Sequence, residues 1–460
     1  MKLNIIKYFT LVAFILSIMS CEKLVEVSPP INELSSSSVF TNDATATSAL
    51  SGVYSTLSTA DFTSGGPIDF NMLSGKMGDE FTNHNDELYN AQFAENAITP
   101  QNSYVMTLWS SPYTIIYQAN ALISGLKDNT QVSANLKVQL VGESYFLRAY
   151  SHLFLVSAFG DVPLVTTTNY IENNVAKRSG QAAVYDAIIA DLKIAKELLA
   201  DNYPSTGRVR GNKWAASALL ARAYLYNKMW TDAASEATQV INQSSLYSLE
   251  QTNLSDTFLS TNQESIWQIQ SSAPVTNEAQ SFILYPGFGP IDLQVSLTDD
   301  LFNSFELGDK RKTAWVGQTN DGTMDWYYPY KYKSNWGNTR PENSVRLRLA
   351  ELYLIRAEAR ANNNELSTAK DDIDVIRLRA GLLPTAATTK AALLLAVEKE
   401  RRVELFSEDG HRWKDLVRTG RALTVLQAFK GQSFQAHETL LPIPFLEIEK
   451  NKNLTQNSGY

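Results

Sequence analysis

Trp214-Ala215-Ala216-Ser217-Ala218-Leu219-Leu220-Ala221-Arg222-Ala223-Tyr224-Leu225-Tyr226-Asn227, then Lys228-Met229, then Trp230-Thr231-Asp232-Ala233-Ala234-Ser235-Glu236-Ala237-Thr238-Gln239-Val240-Ile241-Asn242: this stretch reads as two helices joined by a tight turn. In the second helix Trp230, Ala233, Ala234, Ala237, Val240 and Ile241 recur at spacings of three and four, which gathers them on one face. Leu220, Ala221, Tyr224 and Ala233 fall at tetratricopeptide offsets, with small residues where paired helices must approach closely. A related pair is expected at 348–361 and 366–379, with Ala357 and Ala369 in the small positions and a turn one residue off the ideal length. Two repeats are fewer than a free-standing solenoid needs, so other helices must supply the missing layers.

Those helices are legible on either side. Asn42 or Asp43 caps a helix whose stripe is Ala46, Ala49, Leu50, Val53 and Leu57. Spacing predicts helices over 104–126 and 135–159, the latter with Phe146, Ala149, Tyr150 and Leu153 on one side, stopped by Gly160 and Pro163. The last helices are expected at 389–406 and 409–426. The fold class is therefore mainly α: a tetratricopeptide-like scaffold over about 41–60, 104–245 and 346–430. Two segments break its rhythm. Residues 62–103 carry frequent Gly, Asn and Asp with weak periodicity and read mostly as loop; 246–345 mixes Pro, Gly and aromatics with short strands. Within 325–333, Trp326, Tyr328, Tyr330 and Tyr332 alternate and are expected to share one strand face.

The N-terminus has the layout of an export signal over 1–20: Lys2 and Lys7, an apolar run over 8–19, then Ser20-Cys21. The run is too short for an ordinary membrane-spanning helix. Cys21 is the sole cysteine among 460 residues, so no disulfide can form, and its position after the cut suits lipidation of the thiol. Residues 21–40, with Pro29-Pro30 and the serines 35–38, suit an extended tether, leaving 41–460 as a single domain. A net charge of −8 argues against nucleic acid as a main partner.

Familiar chemistry is missing. There is no HExxH, GxxxxGK, GxSxG or GxGxxG. With one cysteine and the scattered His84, His152, His411 and His437, neither a soft-metal site nor a cofactor is expected. Asn320-Asp321-Gly322 and Asp325 could offer oxygen ligands, but they do not match a calcium loop and read as a solvated turn. Glu400 and Glu404, in the charged run 398–404, are expected on a salt-bridged helix surface. Carboxylates are plentiful, so a glycosidase pair stays open at this point.

Several motifs together resemble the RagB/SusD family. They are Gly142-Glu143-Ser144-Tyr145-Phe146-Leu147-Arg148-Ala149-Tyr150 with Phe159-Gly160-Asp161-Val162-Pro163-Leu164; Arg348-Leu349-Ala350-Glu351-Leu352-Tyr353-Leu354-Ile355-Arg356-Ala357-Glu358-Ala359; and Val375-Ile376-Arg377-Leu378-Arg379-Ala380-Gly381. Glu400-Arg401-Arg402-Val403-Glu404-Leu405, Gly410-His411-Arg412-Trp413-Lys414-Asp415-Leu416, Leu441-Pro442-Ile443-Pro444 and the ending Asn453-Leu454-Thr455-Gln456-Asn457 with Gly459-Tyr460 complete the likeness. Ile18-Met19-Ser20-Cys21 is similar to a bacterial lipobox. The resemblance implies a lipid-anchored outer-membrane protein on the bacterial surface, four tetratricopeptide-like units and a loop-rich ligand face. It also implies a SusC-like TonB-dependent transporter as partner, and oligo- or polysaccharide as ligand, with peptide as the alternative. Arg148, Glu358, Arg377, Arg402 and Arg412 lie in these motifs, beside apolar stripes, and are expected to hold helices together through ion pairs.

Ligand contacts are expected in the loops, where a rigid scaffold usually carries function. Sugars offer flat C–H faces to aromatic rings and hydroxyl rims to Asn, Asp, Gln and Arg. Two segments hold that mixture: 79–92, with Asn83, His84, Asn85 and Tyr89, and 285–340, with Phe288, Trp315, Trp326, Trp336, Asn338 and Arg340. Trp336 stands among turn residues and Trp326 in the alternating string, where strand packing competes with ligand contact; Trp109 lies in a helix and reads as core. The candidate ligand set is Trp336, Tyr89, Phe288, Trp326, Asn83, His84, Asn338 and Arg340. Glycan capture without catalysis is the leading reading, peptide capture the second, and a glycoside hydrolase the third.

Overall fold

A computed structural model describes residues 39–271, 275–337 and 339–460. The expected export signal, Cys21, all but the last two residues of the expected tether, and Asn338 lie outside the described residues.

Helix α1 (Asp43–Thr59) starts as expected. The Asn42 side chain accepts from the Thr45 amide at 3.0 Å, and Ala46, Leu50, Val53 and Leu57 are buried. The next segment departs from the expected loop: it holds α2 (Phe70–Met77), β1 (Phe81–Asn83) and α3 (Leu88–Glu95). Every residue of α2 is buried. A helix covered all round needs no apolar stripe, so periodicity does not reveal it. Long helices α4 (Ser103–Leu126) and α5 (Ala134–Phe159) follow, α5 ending at Gly160 with φ +75°. Then come the short α6 (Tyr170–Asn173) and α7 (Gln181–Leu198). Arg148 of α5 grips both Asp191 oxygens on α7, at 2.7 and 2.6 Å, and Asn120 of α4 at 2.7 Å, so one guanidinium joins three helices.

The repeat pairs are α8 (Lys213–Tyr226) with α9 (Trp230–Ile241), and, further on, Leu349–Asn362 with Leu366–Arg379. Their turns, 227–229 and 363–365, are equal in length, where a one-residue mismatch was expected. Lys228 and Asn364 each take a left-handed conformation (φ 59° and 65°). Met229 N donates to Tyr224 O at 2.8 Å and Glu365 N to Arg360 O at 2.9 Å, the same closure in both.

Between the pairs lie β2 (Ser265–Ile269), α10 (Asn277–Phe282), β3 (Val295–Leu297), α11 (Asp299–Ser304), α12 (Lys310–Trp315), β4 (Val316–Asn320), β5 (Asp325–Pro329) and β6 (Ser344–Arg348). They form two-stranded antiparallel sheets: β1 with β3 (Phe81 opposite Leu297), β2 with β6, and the β4–β5 hairpin (Val316 opposite Pro329). The repeat that follows β6 supplies α13 (Leu349–Asn362) and α14 (Leu366–Arg379); α15 (Lys390–Leu405), α16 (His411–Arg418), α17 (Ala422–Lys430) and α18 (Phe445–Lys450) complete the chain. The single helix expected at 409–426 is two, because Gly420 (φ +71°) turns the backbone between α16 and α17.

A large apolar core runs through the helices, and a second, containing Phe81, Phe258, Phe282, Trp315, Tyr332 and Phe406, underlies the loop segments. Glu400 and Glu404 correct the expected surface placement: both are buried. Their partners come from distant chain positions, Arg311 on α12, Arg348 at the end of β6 and Arg379 at the end of α14, which local spacing cannot show. The motif residues do hold the scaffold. Arg412 forks onto Asp79 at 2.9 and 2.7 Å, Glu358 pairs with Arg418, Arg377 with Glu306 and Glu400, and Arg402 with Asp79 and Asp300.

Candidate functional site

The Arg412–Asp79 fork fixes the entry to β1, the strand that leads to His84. Thr298 donates to the Glu80 carbonyl at 3.0 Å from its amide and to the Asp79 carbonyl at 2.7 Å from its hydroxyl, locking β1 to the β3 side. Burial works against the Asp79 carboxylate, but Arg412 and Arg402 outweigh it and hold its pKa below the usual value. Glu80, next in the chain and equally buried, has no such fork. Burial, then the neighbouring Asp79, push its carboxyl up to about 8, and its Oε1 has no hydrogen-bond partner among the described residues.

This raised pKa makes a pH prediction. Unfolded, Glu80 ionises near 4.5; folded, it keeps its proton until about 8. The folded state then binds more protons, so this group lowers stability as pH rises through that window, by at most about 1.4 kcal/mol per pH unit. Glu80→Gln removes the slope. Urea denaturation is expected to show a gain over the wild type that is several-fold larger at pH 8 than at pH 5; an equal gain at both would contradict the assignment.

Past β1 the chain assembles a ring cluster. His84 Nε2 lies 2.8 Å from Ser296 Oγ, and its ring meets the Trp326 ring edge-on, 5.0 Å between centroids at 88°. Burial, then Lys76, lower the His84 pKa, so the imidazole is neutral near pH 7. Trp326 sits on β5, and its Nε1 donates to Asp321 Oδ2 at 2.7 Å. Asp321 also accepts from Thr323 and from the Met324 amide, bonds that hold its carboxylate well below the usual range. The third side is the 285–291 loop. Gly287 (φ +83°) turns it, Gly287 N donates to Thr319 Oγ1 at 3.2 Å, and Gly289 lies so close to Trp326 that a Cβ there would stand 2.9 Å from the indole nitrogen. Phe288, beside it in sequence, is exposed, as are Tyr285 and Ile291. Trp326, His84 and the Phe288 loop thus meet, although more than 240 residues separate the first two in sequence.

The other candidates divide. Asn83, on β1, has its amide committed to Asn85 O at 2.6 Å and accepts from Asn90 at 2.7 Å, which shapes the loop under His84. Trp336 is 73 % exposed and donates to Gln280 on α10 at 3.0 Å, so the turn residues around it do present a ring to solvent. Arg340 is held by Asp256 at 2.7 Å and the Ser255 carbonyl, a loop-fixing role. Tyr89 packs edge-on with Tyr104, 6.0 Å between centroids, and Tyr104 donates to Glu87. Trp315 is fully buried, with its Nε1 on Leu254 O. The alternating string is a strand only to Pro329; Tyr328 and Tyr332 are buried, while Trp326 remains half-buried at the face. Sequence reading did not foresee Ser296 and Asp321 as the anchors of the two rings, since their partners are set by strand pairing and turn geometry.

Residues 26–225 match a SusD-like family described as "Starch-binding associating with outer membrane", and residues 303–460 match the SusD family that includes RagB. The SusD-like protein P25 of Formosa agariphila is 24% identical over 99% of both chains. A laminarin-binding SusD-like protein of known structure is 25% identical, with a TM-score of 0.78 over 92% of this chain and 100% of that one. A SusD superfamily structure from Parabacteroides distasonis is 26% identical, TM-score 0.79, covering 93% and 100%. With the helical scaffold matched nearly end to end and family matches in both halves of the sequence, the chain belongs to the SusD/RagB family.

Proposed function

We propose that the protein captures oligo- or polysaccharide at the cell surface and passes it, uncleaved, to a SusC-like TonB-dependent outer-membrane transporter. The observation that carries this reading is the ring cluster of His84, Trp326 and the Phe288 loop, with exposed Trp336 on the same loop-rich segment. The imidazole there is neutral near pH 7 and the indole is fixed by a hydrogen bond. Such a surface suits the C–H face of an uncharged sugar better than a charged peptide. The starch-binding description of the matched family and the laminarin-binding relative support the same ligand class. A lipid on Cys21 followed by the 21–40 tether would keep the body attached at the outer surface while it moves over its transporter.

Affinity electrophoresis against neutral soluble polysaccharides, laminarin and starch among them, tests the ligand. Retardation by at least one is expected; retardation by none, together with tight peptide binding, would replace saccharide by peptide in this role. Co-purification of the transporter from native membranes tests the partner, and a Cys21→Ala protein that stayed surface-bound and supported uptake would remove the tether from the account.

A further inference from the structure

A groove of about 620 Å³ opens between α4, the segment around α6, and α18, and it shares no lining residue with the ring cluster. That volume lies within the range of small-ligand sites. Its floor is Trp109, almost fully buried, and Tyr113, whose hydroxyl is already committed to Pro163 O at 2.9 Å. Its walls are different. The rings of Tyr117 and Tyr170 are 54 % and 68 % exposed. The hydroxyls of Tyr117, Tyr170 and Thr168 and the side-chain amide of Asn174 make no hydrogen bond among the described residues. At the ring cluster, by contrast, both Trp326 and His84 have partners.

The walls are also built to stay in place. Asn173 donates to Thr167 O at 2.9 Å within the α6 segment, and Asn451 to Ala176 O at 2.8 Å and Asn453 to Val175 O at 2.9 Å tie the C-terminal segment to it. Exposed rings flanked by uncommitted hydroxyl and amide groups, in a concave site with an anchored backbone, match the alternation of C–H faces and hydroxyl rims along a sugar chain. A protein partner would instead call for a broad, flat apolar patch.

We propose that this groove is a second saccharide-binding site, with Tyr117 and Tyr170 as ring platforms and Thr168 and Asn174 as hydroxyl readers. The proposal rests on the glycan-capture reading and adds a second point of attachment. Two sites on one chain hold a polymer more tightly than either alone whenever it can span both.

The test is affinity electrophoresis in the same polysaccharide panel, laminarin and starch included, with the full chain as wild type, Tyr117→Ala/Tyr170→Ala, Trp326→Ala and the three changes combined. Melting temperatures check that each protein is folded; Tyr170→Ala alone serves if the double variant is not. The expected result is a roughly tenfold weaker retention for the groove variant at unchanged melting temperature, and none for the combination. Loss of retention in the groove variant alone also supports the groove. Wild-type retention in the groove variant, with loss in Trp326→Ala, overturns the groove and leaves the glycan reading intact. No retention of the wild-type protein by any polysaccharide overturns both.

Discussion

Glu404→Ala is expected to lower folding stability by about 3–5 kcal/mol, a large share of the roughly 5–15 kcal/mol a domain has. The Glu404 side chain is fully buried and accepts from Arg348 at 2.6 Å, from Arg311 at 3.0 Å and from Arg379. Glu264 and Glu408 bind the same guanidinium of Arg348, and Asp309 and Glu400 that of Arg311. Each arginine thus keeps some partner in the variant, but three cations lose the carboxylate they share, inside a region closed to water. Glu404→Gln keeps the shape and loses the charge, so its cost should be of the same order. The pH dependence has the opposite sign to that of Glu80. Burial opposes the Glu404 carboxylate, but Arg379, Arg348 and Arg311 outweigh it and hold its pKa well below the usual value. Its contribution is therefore complete above the ordinary carboxylate range and is lost progressively as the pH falls from that range to the lowered value. Urea denaturation at pH 7 and in acid checks both statements; a variant within 1 kcal/mol of wild type at pH 7 would contradict the assignment.

Trp326→Ala is expected to weaken binding of a retained glycan by about ten- to a hundredfold, as loss of a central aromatic contact does elsewhere. Its ring is positioned from three directions, by Asp321 through the indole N–H, by the perpendicular His84 ring, and by the Gly289 backbone. Gly289→Val should weaken binding without deleting any ring, because its Cβ must displace the indole. Phe288→Ala removes an exposed ring at the loop tip and is expected to have a smaller effect. Affinity electrophoresis reads all three. Unaltered binding in Trp326→Ala would move the ligand away from this face.

The scaffold was legible because its signals are local. The α8–α9 pair, the Asn42 cap and the Gly160 stop each depend on residues within a few positions of one another. Helix α2 was not, since complete burial erases the stripe that periodicity detects. The destination of Glu404 was not legible either, because its partners stand 25, 56 and 93 positions away. The candidate site divides in the same way. Turn residues around Trp336 announced an exposed ring, whereas the meeting of His84 with Trp326 depends on β1 pairing with β3 beside the β4–β5 hairpin. Arg340 is a candidate by residue type alone, and its pairing with Asp256, 84 positions away, is not legible from spacing. Tyr113 and Tyr117 lie one helical turn apart on α4, and only the docking of α18 and the α6 loop turns that face into a groove.

Titration calorimetry with the most strongly retarding glycan, followed by chromatography of the recovered ligand, tests glycan capture without cleavage most directly. Saturable heat with the glycan recovered at its original chain length is the predicted result. Shortened chains, or no heat with any glycan alongside tight binding of a peptide, would contradict it.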